Sequence, residues 1–166
     1  MEKKYKLTEE TFAVDGHVLH RIKALRDFGN VKKGDLGGFI EKESNLAHDW
    51  NCWIYNDAVV RGNAEVYGNA EVCGDAAVYG YATVYGNAKV CGDAKVEKKS
   101  DYIVFKNWWS SGRYFTWTRS NDMWSVGCFY GTGEELIKKA YADNEEKGRE
   151  YERVVKYVES IKSEIK

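Results

Sequence analysis

With 166 residues, 25 Lys and Arg against 26 Asp and Glu, and a net charge of −1, the chain has no global positive field to hold a nucleic-acid backbone. No apolar run approaches the ~20 residues of a membrane span, so neither a long nucleic acid nor a membrane is expected as a partner. The opening MEKKYKLTEE lacks the apolar centre of a signal peptide, which makes a cytoplasmic location the expectation. Cys52, Cys73, Cys91 and Cys128 include no CxxC pair, so no metal site, redox motif or cofactor is expected.

Residues 1–30 read as an N-terminal β-hairpin cap. Asp15-Gly16 is a two-residue turn signal between Thr11-Phe12-Ala13-Val14 and His17 to Ile22. Both strand faces are mixed in polarity, which suits a hairpin that closes the open end of a larger sheet.

Residues 31–97 read as the body of the molecule. After Val31 to Ile40 the chain enters a hexad frame that becomes regular from Asp57 to Val96. Ala58, Ala64, Ala70, Ala76, Ala82, Ala88 and Ala94 recur with Val60, Val66, Val72, Val78, Val84, Val90 and Val96, and Gly62 to Gly92 close the full units. A fixed short period signals a repeat architecture. Every eighteenth residue repeats in type, as in Asp57, Asp75 and Asp93, or Tyr67 and Tyr85. Three hexads per turn of a triangular coil explain that longer period. Each flat side then holds one short strand, and each corner holds Gly followed by Asn or Asp.

Stacked turns about 4.8 Å apart place Tyr67 over Tyr85, Arg61 over Tyr79, and Tyr55, Cys73 and Cys91 in one column. Asn69 over Asn87 is expected to form an amide ladder, and Glu71 to neighbour Lys89. Cys73 and Cys91 are expected as two free thiols in a reducing compartment.

Residues 98–166 read as antiparallel β plus two helices. Tyr102 to Phe105, Arg113 to Trp117 and Trp124 to Phe129 look like three strands. Thr132 and Glu135 form a capping box opening one helix, and a last helix over about 145–165 carries Tyr151, Val154, Val155, Val158, Ile161 and Ile165 at helical spacing. That stripe is a packing face, either for its own chain or for a sister subunit.

GNAEVYGNAEV resembles the left-handed β-helix of hexapeptide-repeat acyltransferases. The order GDLGGFIEKESNL, NCWIYNDAVV and Asn-Ala-x-Val units is more similar to YdcK-type β-solenoid proteins, common in phages and their bacterial hosts. That likeness covers roughly residues 16 to 96, and CFYGTGEELIKKA resembles the tail of phage-borne members. The resemblance implies a short left-handed parallel β-helix with an N-terminal β cap and a C-terminal α+β cap. It does not carry a function with it.

An acyltransferase of this architecture needs a general base, usually His on a coil. The regular repeats contain none, and His48, beside Asp49 and Trp50, stands as the candidate among His17, His20 and His48. No Ser/His/Asp spacing and no P-loop occurs, so no catalytic set is assigned.

Two surfaces are candidates for binding. The Tyr55, Tyr67, Tyr79 and Tyr85 positions, with Val154 and Val158, are candidates for a subunit or partner interface in a dimer or trimer. Trp109, Arg113, Phe115, Trp117, Arg119 and Trp124 could stack a base and neutralise a phosphate, or form the core of the cap.

The resulting expectation is a non-catalytic, oligomeric β-solenoid binding or scaffold protein of phage type. It would counter host defence by sequestering a small nucleotide signal or occluding a host protein. The alternatives are a CoA-dependent hexapeptide-repeat acyltransferase and a self-assembling structural protein.

Overall fold

The structure, a computed structural model, describes residues 2–166. The hairpin β1 (Tyr5–Val14) and β2 (His17–Ala24) turns at Asp15 and Gly16, whose φ values of +48° and +81° suit a tight two-residue turn. Strand β2 pairs with β3 (Leu36–Ile40), which delivers the chain into the coil.

The coil consists of two-residue strands: β4 (Trp53–Ile54), β5 (Val59–Val60), β6 (Glu65–Val66), β7 (Glu71–Val72), β8 (Ala77–Val78), β9 (Thr83–Val84), β10 (Lys89–Val90) and β11 (Lys95–Val96). They stack into three parallel sides, β3-β5-β8-β11, β6-β9 and β4-β7-β10. Every pairing within the repeats joins residues eighteen apart, for example Val60 with Val78 and Val66 with Val84. The molecule is therefore mainly β, a solenoid of about three turns. Corner glycines hold φ between +66° and +69°, a region that costs a side chain about 1–2 kcal/mol. The Ala and Val of each hexad point inward and are at most 1% exposed, so burial of their methyl groups drives the coil shut.

Both ends are closed by unlike means. At the first turn, buried Asn45 takes the place of a repeat corner: its Oδ1 accepts from Glu41 and Lys42 N–H, and its Nδ2 donates to the Gly62 and Ala64 carbonyls. Lys4 is fully buried, with Nζ donating to the Cys52 carbonyl at 2.7 Å; desolvation pushes its pKa down. At the last turn, β12 (Tyr102–Lys106), β13 (Tyr114–Thr118), β14 (Met123–Val126) and β15 (Phe129–Gly131) form an antiparallel sheet. Two helices, α1 (Gly133–Asp143) and α2 (Glu145–Ile161), pack on that sheet.

Several expectations are revised by the structure. The segment Trp124 to Phe129 is two strands, because Gly127 at φ +57° lets the chain reverse there. Asn69 is tied to the turn below by its backbone N–H donating to the Gly86 carbonyl rather than by a side-chain ladder with Asn87. Cys73 and Cys91, expected as separate free thiols, lie side by side on adjacent turns with Cα atoms 4.5 Å apart, within reach of a disulfide. The apolar stripe of α2 packs on its own chain: Val158 is 1% exposed and so not open to a partner, and partly buried Val154 lies against the same cluster.

Candidate functional site

The three histidines lie in the N-terminal cap and first turn, and hydrogen bonding sorts them by what each ring can do. His48 is the candidate base that the sequence offers beside a structural role, and its Nδ1 accepts from the Lys4 backbone N–H at 3.1 Å. Its ring stacks on Tyr5 at 4.2 Å, and burial pushes its pKa below the ordinary value. The basic lone pair is thus committed to the fold, so His48 cannot take up a substrate proton there. His20 holds the Thr8 carbonyl through Nδ1 and has no carboxylate beside it.

His17 differs. Its Nδ1 lies 2.8 Å from Glu41 Oε1, and the other carboxylate oxygen, Oε2, accepts from Gly62 N–H at 2.6 Å. The His17 hydrogen bond, then the Gly62 N–H, holds the Glu41 carboxyl below the usual carboxylate range, so Glu41 is ionised and can only accept. Nδ1 must therefore carry the proton, which leaves the lone pair on Nε2. Both side chains are about one-third exposed, at 34% and 27%, so the ring can be reached from solvent.

Local structure fixes this pair firmly. His17 starts β2 directly after the Asp15-Gly16 turn, and that turn is tied to the coil by Arg61 donating to Asp15 at 3.0 Å. The Arg61 guanidinium also lies 4.8 Å over the Tyr79 ring, which holds it in place. Glu41 follows β3, its own N–H donating to the Val60 carbonyl and to Asn45. The carboxylate thus orients the imidazole, while Gly62 holds the carboxylate and Asn45 holds the Glu41 backbone. Sequence reading missed this pair because its members lie 24 residues apart and meet only when β2 folds onto β3.

The aromatic sheet residues are brought together, but as a core. Phe115, Trp117 and Trp124 are at most 1% exposed and lie in one cluster with α1 and α2, and Trp109 packs edge-on to Phe115 and Tyr151. The expected stacking platform is closed, because the helices already cover the rings. Arg119 pairs with Asp101 at 3.5 Å, and only Arg113 stands out at the rim.

The coil columns form as the eighteen-residue period requires. Tyr67 and Tyr85 stack at 5.2 Å with planes 8° apart, and they are 38% and 49% exposed. Tyr79 is half-buried under Arg61, and Tyr55 is half-buried against the coil core. Lys89 lies 3.9 Å from Glu71, the neighbour pair expected.

Fold and repeat together define a hexapeptide-repeat β-solenoid carrying an oriented histidine–glutamate pair on its first turn. No family model matches the chain. A protein of Escherichia coli (strain K12) named "uncharacterized acetyltransferase YdcK" is 38% identical over 79 residues, which cover 39% of this chain and 24% of the relative. The match spans about a quarter of the length of that curated relative. It agrees with the hexapeptide-repeat resemblance and does not bear on a phage origin.

Proposed function

We propose that the chain is an acyl-transfer solenoid in which His17 is the general base and Glu41 positions it. The observation that carries the reading is the His17–Glu41–Gly62 chain of hydrogen bonds, which leaves the lone pair on Nε2 of a ring that is about one-third exposed. The name of the relative supports the same reaction class. In the proposed step, Nε2 removes the proton from an acceptor hydroxyl or amine as that atom attacks a thioester carbonyl. The tetrahedral intermediate collapses, the C–S bond breaks, and the departing sulfur takes the proton back from the imidazolium. Glu41 keeps its proton-free carboxylate throughout and stabilises the transient charge on the ring.

Thiol release from acetyl-CoA, followed over a panel of amine and hydroxyl acceptors, tests this reading. A positioned base contributes about 10²–10⁴-fold, so His17→Gln is expected to lose at least a hundredfold. Glu41→Gln, which keeps the shape but not the charge, is expected to lose less. Absence of release across the panel, or release that survives in folded His17→Gln, would overturn the reading.

A second reading, a non-catalytic binding protein, is favoured by the exposed Tyr67–Tyr85 stack. On that reading the chain holds a nucleotide-type signal or a host protein without turning it over.

A further inference from the structure

The Tyr67–Tyr85 column ends in an open cleft. In the turn above, Glu65, Tyr67 and Asn69 N–H donate to the Ala82, Val84 and Gly86 carbonyls of the turn below. The next turn down would offer the same contacts to Thr83, Tyr85 and Asn87, but β9 is the last strand of its side. The other two sides are sealed: Lys89 N–H donates to Thr116 Oγ1, and Lys95 N–H donates to Ser120 Oγ. A side chain added at Gly68 would meet Gly86 at 3.0 Å, whereas one added at Gly86 would meet nothing within 4 Å. The cap therefore takes up strand N–H groups on two of three sides and leaves a gap at the tyrosine corner, where Tyr102 reaches the Thr83 carbonyl.

A cleft of about 490 Å³ occupies that gap, lined by Tyr85, Gly86, Asn87, Lys99, Tyr102 to Val104 and Tyr114. Tyr102 is fixed in its wall by donating from its hydroxyl to the Thr83 carbonyl at 2.9 Å. Around the Asn87 and Tyr114 corner a second groove of about 260 Å³ carries Lys89 and Arg113, with Glu71 beside Lys89. Lys99 is exposed and makes no ion pair among the described residues. Aromatic rings lining an open cleft, with an exposed, unpaired lysine at its edge, match one ligand chemistry.

We propose that this cleft binds a phosphorylated nucleotide, its base stacking against Tyr85 and its phosphate facing Lys99. Base–aromatic stacking tolerates any base, and the lysine supplies the affinity for phosphate. The ligand could be a free nucleotide or the nucleotide end of an acyl carrier such as CoA. The site stands apart from the His17 reading and can survive its failure.

Calorimetric titration of the full chain with AMP, adenosine, coenzyme A and pantetheine tests the proposal. AMP and coenzyme A are expected to bind, adenosine at least tenfold more weakly, and pantetheine not at all. Tyr85→Ala and Lys99→Ala should each weaken AMP roughly tenfold, while Tyr85→Phe keeps the ring and the affinity. Coenzyme A binding tenfold tighter than AMP would assign the site to an acyl donor, and equal affinities would assign it to free nucleotide. Binding in His17→Gln should be unchanged, which separates the site from acyl transfer. If AMP fails to bind, or binds Tyr85→Ala as well as the native chain, the proposal is overturned.

Discussion

Gly68→Ala and Gly86→Ala form a matched pair that isolates turn-on-turn stacking. Both residues follow Tyr and precede Asn-Ala, and their φ values are +69° and +66°, so the local strain of adding a methyl group is the same. That shared cost is about 1 kcal/mol. At Gly68 the added Cβ would also sit 3.0 Å from Gly86 N and 3.3 Å from its carbonyl oxygen, against backbone that cannot swing aside. Overpacking of that kind costs about 1–3 kcal/mol more. At about 2–4 °C per kcal/mol for a chain of this size, a 2 kcal/mol difference separates the two melting temperatures by roughly 4–8 °C. Thermal denaturation followed by far-ultraviolet circular dichroism reads the gap. Equal losses in the two variants would refute the stacking of residue 68 on residue 86, and with it both columns used above.

Three further outcomes follow from the same contacts. Alkylation of the unfolded, unreduced chain should label Cys52 and Cys128 and spare Cys73 and Cys91, with all four labelled after reduction; labelling of Cys73 before reduction would contradict the inter-turn link. Trp124→Ala should cost about 3–5 kcal/mol and expose α1 and α2 to hydrogen exchange, because the indole fills the space between sheet and helices. Acid should destabilise the chain in two windows. The folded state lowers the pKa of His48, so the unfolded chain binds that proton first and stability falls as pH drops below about 6.5. Glu41 is also lowered, so its contribution is complete above the ordinary carboxylate range and is lost as pH falls through its folded value. Denaturant titrations against pH should show the first loss vanish in His48→Gln and the second shrink in Glu41→Gln.

The solenoid was legible because its physics is local and repeated. Ala and Val alternate with turn residues on a fixed period, so one hexad explains all of them, and the Tyr67–Tyr85 and Arg61–Tyr79 columns follow from counting. The capping box at Thr132 and Glu135 was legible for the same reason, since both partners lie within one helical turn. Burial was harder to read. Alternation along β13 places Phe115 and Trp117 on one face but does not say that α1 and α2 will cover it. The histidines were hardest, because their roles depend on which atom fills each lone pair. Lys4 N–H occupies Nδ1 of His48, and Glu41 occupies Nδ1 of His17, and both contacts cross tens of residues.

Imidazole nitrogen shifts, recorded by long-range proton–nitrogen correlation at mildly alkaline pH, test the central claim without any substrate. The contacts predict opposite tautomers in one chain: His17 protonated on Nδ1 toward Glu41, and His48 protonated on Nε2 with Nδ1 accepting from Lys4. A His17 ring found with its proton on Nε2 would leave no basic nitrogen for an acceptor and would contradict its role as the base.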